Sequence, residues 1–298
     1  MEITQDYQKS IRSQQPVKIG NETVYLPYQR TTNPASSDTV ICPGFSGLSR
    51  IPFEENIEPL GECSRVFALD IPPLLNIRPS LATPNPSLEL RVEVLGKFIE
   101  SITRRGRALN LIGYSSGGIV SMEYSIRNQE KVSRLVLVAS AGFGKGISWG
   151  YWSAAFLASV PGVKNLLSRE SELSIQKSLK KLFHQEIPRG LSKKILKERN
   201  YYNPKDLRDW QIQSLREGIG LWGQKLIYTG VLREIAERIP VLLIHGKHDK
   251  IIPSQHTVNA WKATYEMARM LLMKDCGHWP QMEDSERFNT EIIKFFQN

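Results

Sequence analysis

The chain has 298 residues and a formal charge of +9, long enough for one large α/β domain with an insertion or for two modest domains, and its 41% hydrophobic and 23% charged residues are ordinary for a soluble enzyme. No apolar run reaches the roughly 18 residues that span a bilayer, and the start Met1-Glu2-Ile3-Thr4-Gln5-Asp6 has no signal-peptide core. The three cysteines, Cys42, Cys63 and Cys276, lack paired spacing, which favours free thiols, a reducing compartment and hence a cytoplasmic location.

In chain order, the polar leader Met1 to Gln15 reads as helical or frayed, and residues 17 to 31 as an antiparallel hairpin. Strands are predicted at Thr23–Tyr28, Thr39–Cys42, Arg65–Asp70, Ala108–Gly113, Leu135–Ala139, Val241–Ile244 and Met270–Met273. Helical patterns fall between them, at Ser87–Arg105, Gly117–Gln129, Ser254–Tyr265 and Asp284–Gln297. Near-continuous apolar strands alternating with amphipathic helices predict an α/β protein, a mostly parallel central sheet with helices on both faces.

The alternation stops from about Lys145 to Ile235, where short helical patterns carry Trp149, Tyr151, Trp152, Phe156, Leu157, Phe183, Tyr201, Tyr202, Trp210 and Trp222. We expect a helical lid insertion over residues 145–235 between two core parts, 1–144 and 236–298. Its aromatic residues either roof a substrate pocket or build the insertion's own small core. Between Lys145 and Glu234 sixteen lysines and arginines face eight aspartates and glutamates, so this segment holds +8 of the net charge. A solvated lid surface explains that charge; attraction of an anionic substrate, a carrier protein or an acidic membrane face stays open beside it. No nucleic-acid-binding module is present in the sequence.

The chemistry centres on Gly113-Tyr114-Ser115-Ser116-Gly117. A Gly-x-Ser-x-Gly run between an apolar strand and a helix is the pattern of a nucleophile elbow, where the serine sits on a strained turn and flanking backbone comes too close to admit side chains. A serine hydroxyl needs a general base. His278 follows the last predicted strand, on a loop at the edge where ligands of open α/β sheets bind. Asp249, at the end of the strand Val241–Ile244, is the expected acid partner of the imidazole; Asp275 and Glu283 are the rivals closest to His278. The run His245-Gly246-Lys247-His248-Asp249 lacks a standard zinc spacing, so no metal is expected. Ala141-Gly142-Phe143-Gly144-Lys145-Gly146 lacks the arrangement of a phosphate loop and reads as a flexible entry to the insertion.

The order Ser115, Asp249, His278, the turn Pro43-Gly44-Phe45 after an early strand, Gly246-x-x-Asp249-x-x-x-Pro253 and Gly277-His278 together resemble the α/β-hydrolase superfamily, specifically its lidded serine hydrolases. Those include meta-cleavage-product hydrolases, esterases, and lactone or thioester hydrolases. The resemblance implies a Ser-His-Asp triad, an oxyanion hole from the amides of Phe45 and Ser116, and substrate contacts at Gly44, Tyr114 and Trp279, with no cofactor. It implies hydrolysis of an ester, thioester, lactone or activated carbon–carbon bond in a small acyl substrate, and the aromatic, basic segment 145–235 points to one of apolar or anionic character. An acyltransferase, cyclase or cofactor-free haloperoxidase-like enzyme would use the same residues, and a non-catalytic binding protein would keep only the fold. Two departures stand out. Pro43 replaces a common histidine, and Asp70 is followed by Ile71-Pro72-Pro73-Leu74-Leu75 rather than a glycine-rich turn, so a stiffer loop is expected there.

Overall fold

The structure is a computed structural model that describes residues 10–71, 87–103, 107–150, 152–153, 171–200, 204–265 and 267–298. The expected stiff loop after Ile71, and Tyr151, Phe156, Leu157, Tyr201 and Tyr202 of the insertion, lie outside the described residues.

Strand β1 (Ser10–Ile19) pairs antiparallel with β2 (Glu22–Thr31). Residues 10 to 15 are therefore strand, a correction to the helical or frayed leader; residues 1 to 9 lie outside the described residues. The reason is positional. An edge strand bonds on one side only, so Arg12, Ser13 and Gln14 face water and the apolar alternation that marks a strand is missing. Pro16, which cannot donate to a ladder, is tolerated at such an edge.

Strands β3 (Asp38–Cys42), β4 (Arg65–Leu69), β5 (Leu109–Tyr114) and β6 (Val132–Val138) follow. Between them lie helices α1 (Glu54–Leu60), α2 (Leu88–Ile102) and α3 (Ser116–Arg127). After β6 come α4 (Glu172–Leu182), α5 (Leu191–Arg199), α6 (Pro204–Gly218), a small antiparallel pair β7 (Ile219–Gly220) and β8 (Gly223–Gln224), and α7 (Thr229–Ala236). The chain closes with β9 (Val241–Gly246), α8 (Ser254–Ala263), β10 (Arg269–Met273), α9 (Pro280–Glu283) and α10 (Ser285–Gln297).

Among the described residues eight strands form one sheet, ordered β1-β2-β4-β3-β5-β6-β9-β10, parallel from β4 to β10. The apolar strands are sorted by their period of two. Leu111, Leu135, Leu137, Val241 and Leu243 pack with Val94, Leu95, Phe98 and Met122 on the face covered by α2 and α3. Their neighbours Ile112, Val136, Val138, Leu242 and Ile244 pack with Phe53, Ile57, Phe288 and Ile292 on the face covered by α1 and α10. This double coverage is why both residues of each pair are apolar.

Helices α4 and α5 extend the second of these clusters through Ile175, Leu179, Phe183, Leu191 and Ile195. Helix α7 instead packs on α3, burying Leu232 and Ile235 in the first. One ionic chain ties α5 to the sheet. Glu198, 8% exposed at its side chain, accepts from Arg12 at 2.8 Å and from Arg50 at 3.2 Å, and Arg50 in turn donates to the buried Asp70. Asp70 also accepts the amides of Ser49 and Arg50 at 2.8 and 3.3 Å. The turn after β3 is thus held from below by Asp70 and from above by α5.

Candidate active site

Parallel register brings the carboxyl ends of β3, β5, β6 and β9 together: Cys42 pairs with Gly113, Tyr114 with Val138, and Val138 with Ile244. Ser115 follows β5 directly, with φ 52° and ψ −121°, a conformation that costs a non-glycine residue about 1–3 kcal/mol. The turn is held by its neighbours: the Ser115 amide donates to Val138 O at 2.9 Å, and Ser115 O accepts from the amides of Gly118 and Ala141, each at 3.0 Å. Space explains the flanking glycines. A Cβ on Gly117 would lie 2.3 Å from Pro43 O, and one on Gly113 2.8 Å from Gly118 Cα. Ser115 occupies the N-cap position of α3 yet its side chain makes no capping hydrogen bond.

The hydroxyl meets His278 instead, Oγ to Nε2 3.1 Å, and Nδ1 of the same ring lies 2.7 Å from Asp249 Oδ2. Both Ser115 and His278 are buried. The His278 amide donates to Leu182 O at 2.7 Å, so α4 helps to seat the imidazole. Asp249 is over-determined: Oδ1 accepts the amides of Ile251 and Ile252 at 2.7 and 3.0 Å. Burial pushes its carboxyl up, but the charge of His278 and hydrogen bonds from His245 and His278 outweigh burial and hold it well below the usual carboxylate range.

His245 went unremarked in the sequence except as part of a weak metal pattern. It is fully buried, with Nε2 2.9 Å from Asp249 Oδ2 and 3.1 Å from Ile252 O. Two acceptors face Nε2, so that nitrogen carries the hydrogen, and the Thr257 hydroxyl donates to Nδ1 at 2.7 Å. The only sequence signal was a histidine closing an apolar strand four residues before the acid. His248 turns elsewhere, stacked on His184 with ring centroids 3.9 Å apart. Glu283, a rival acid, is occupied by the amides of Gly277, His184 and Gln185 at 2.7, 2.6 and 2.9 Å, and so fastens the His278 loop to the segment after α4.

Ser115 and His278 open on a cavity of about 390 Å³ whose wall includes Phe45, Tyr114, Ser116 and Trp279. Gly44 lies behind that wall, where a Cβ would come 3.0 Å from the Tyr114 ring. The Ser116 side chain is engaged by Arg91, Nη2 to Oγ 3.1 Å. Residues 145–235 contribute Ile175, Leu179, Ile195, Leu215 and Ile219 to the wall, with the cations Lys181 and Arg199; no aspartate or glutamate is among the described lining residues. The insertion's described aromatic residues do not roof the cavity: Phe183 and Trp210 are buried in the two clusters, whereas Trp149 and Trp222 are exposed. Aromatic content alone carried no information about which way those rings point.

The parallel sheet, the elbow and the residues gathered at its edge define an α/β hydrolase. The chain belongs to that family: a family model described as alpha/beta hydrolase fold matches residues 40–285. It is 25% identical over 287 residues to a 2-hydroxy-6-oxononadienedioate/2-hydroxy-6-oxononatrienedioate hydrolase of Paraburkholderia xenovorans, covering 94% of this chain and 93% of that one. It is 26% identical over 241 residues to the dihydrolipoyllysine-residue acetyltransferase component of the acetoin cleaving system of Cupriavidus necator, covering 80% of this chain but only 58% of that protein. Among solved structures, the 2-hydroxy-6-oxo-6-phenylhexa-2,4-dienoate hydrolase of Rhodococcus sp. strain RHA1 shares the fold with a TM-score of 0.74 at 17% identity, over 97% of this chain and all of that one. Among the described residues no helix is long and apolar enough to cross a membrane.

Proposed function

We propose that the chain is a serine-dependent hydrolase of a small acyl substrate, cleaving an ester, thioester, lactone or activated carbon–carbon bond. The observation that carries this is the hydrogen-bonded run from Asp249 through His278 to the strained Ser115. In this reading Ser115 Oγ attacks the acyl carbon while His278 Nε2 takes its proton, Asp249 fixes the ring and stabilises the imidazolium, and the amides of Phe45 and Ser116 receive the oxyanion. His278 then returns the proton to the leaving group and activates water against the acyl-enzyme. His245 acts as a positioning residue, through Asp249. Helices α4, α5 and α6 serve as the lid, and Tyr114 and Trp279 flank the substrate. A largely apolar wall that carries Lys181 and Arg199 suits a substrate with an apolar body and an anionic group. The hydrolase names of relatives in this family support the reaction class.

The test is intact mass after incubation with a fluorophosphonate. One adduct on the native chain, absent from Ser115→Ala and His278→Ala, is expected; a folded native chain that takes up none overturns the proposal. A second reading, transfer of the acyl group to a carrier-bound acceptor, draws on the basic insertion and on the acetyltransferase component among the relatives. Product analysis separates the two, since hydrolysis releases the free acid whether or not an acceptor thiol is present.

A further inference from the structure

The outer end of the insertion carries a feature that the proposed chemistry does not use. Trp149 is 75% exposed, Trp222 81% and Leu221 61%, unusual for residues whose side chains are mainly apolar. They form one tip. Trp149 stacks on Trp152 with centroids 4.7 Å apart, and the Trp152 indole N–H donates to Leu221 O at 3.0 Å. The tip is held rigid from beneath by Gln224, whose side chain accepts from the Gly142 amide at 3.0 Å and donates to Gly146 O at 2.9 Å. Trp222 is therefore presented outward on the braced β7–β8 turn, and Trp149 from the segment whose Trp152 bonds to that turn.

We propose that this tip docks on an anionic lipid surface. Indoles and leucine suit the boundary between headgroups and acyl chains, and the segment that bears them carries sixteen cationic against eight anionic side chains. Lys145, Arg216 and Lys225 flank the tip in sequence against the single acid Glu217, and the Lys181 ammonium sits beside Gly150. A protruding turn with diffuse lysine charge matches a fluid anionic surface better than the concave seat that a folded protein partner needs. The same chain segments wall the cavity through Ile147, Gly150 and Ile219, and Trp152 packs on the cluster of Leu215 and Ile219. Docking the tip brings the cavity wall to the lipid.

The experiment is flotation of the full chain with vesicles of equal parts phosphatidylglycerol and phosphatidylcholine, against vesicles of phosphatidylcholine alone, with indole emission read in parallel. The native chain is expected to float with the anionic vesicles, to shift its emission to the blue, and to release as salt is raised. Trp149→Ala/Trp222→Ala is expected to lower partitioning at least about tenfold, and Lys225→Glu about fivefold, with turnover of a water-soluble ester unchanged in both. Ser115→Ala should bind vesicles as the native chain does, so failure of the proposed chemistry leaves this result intact. No binding above the neutral-vesicle level overturns the proposal, as does equal binding by the double variant. Capture of an acidic protein through the same tryptophans, without vesicle binding, overturns it in favour of a protein partner.

Discussion

Thr257→Val isolates the support behind Asp249. Thr257 is buried, and the replacement keeps its shape while deleting the hydroxyl that donates to His245 Nδ1 at 2.7 Å. A buried imidazole nitrogen is then left without its donor, at a cost of about 1–3 kcal/mol of stability. The effect on rate should be much smaller. Asp249 Oδ1 keeps both amide hydrogen bonds, from Ile251 and Ile252, and Oδ2 keeps His278, so the carboxylate stays in place even if His245 shifts. A fall in fluorophosphonate labelling rate below about tenfold, worth less than about 1.4 kcal/mol of barrier, is expected beside a clear drop in the urea midpoint. Thr257→Ser should restore most of the stability. An unchanged midpoint, or a thousandfold loss of labelling in a stable variant, would refute the assignment of Thr257 and His245 as indirect supports.

Asp249 links stability to pH in a defined direction. Its folded carboxyl lies below the unfolded value of about 3.9, so the stability it adds is fully present above about pH 5 and is lost as pH falls towards the folded value. The gap in unfolding free energy between the native chain and Asp249→Asn should be level from neutral pH to about pH 5 and narrow below about pH 4; a gap that widens with acid contradicts the assignment. The thiols give an independent check on the fold. Burial raises Cys42 to about 11 and Cys276 to about 12, so at pH 8 iodoacetamide should leave both unmodified in the native chain and alkylate all three cysteines in urea. Native-state labelling of Cys276 as fast as in urea would show that the His278 loop is open to solvent.

The strands that carry the site were legible because both faces of the sheet are covered, which makes each of them apolar throughout; Leu242, Leu243 and Ile244 left no other reading. Strand β1 was illegible for the opposite reason, since its edge position exposes Arg12, Ser13 and Gln14. Helix α1 went unseen because Pro59 and a run of glutamates interrupt its pattern, while its burial rests on Asn56, Ile57 and Leu60. At the site, the meeting of Ser115, Asp249 and His278 was readable because each follows a strand at the same edge of a parallel sheet. His245 was not, because a histidine that acts through another side chain leaves no spacing rule. Nor does sequence tell a ring that faces a cavity from one that faces water, which is why Trp149 and Trp222 were grouped with Phe183 and Trp210.

The ionic chain from Arg12 through Glu198 and Arg50 to Asp70 joins the first strand, the turn that bears Phe45, and helix α5. Replacing residues 145–235 by a segment with no acid at position 198 would therefore remove a counter-charge from Arg12 and Arg50. It would remove one carboxylate partner of Arg50 beside the turn that bears Phe45. Residues 145–235 and the first strand are in this respect one heritable unit: exchanging that segment calls for positions 12, 50 and 198 to travel together, however far apart they stand in the chain.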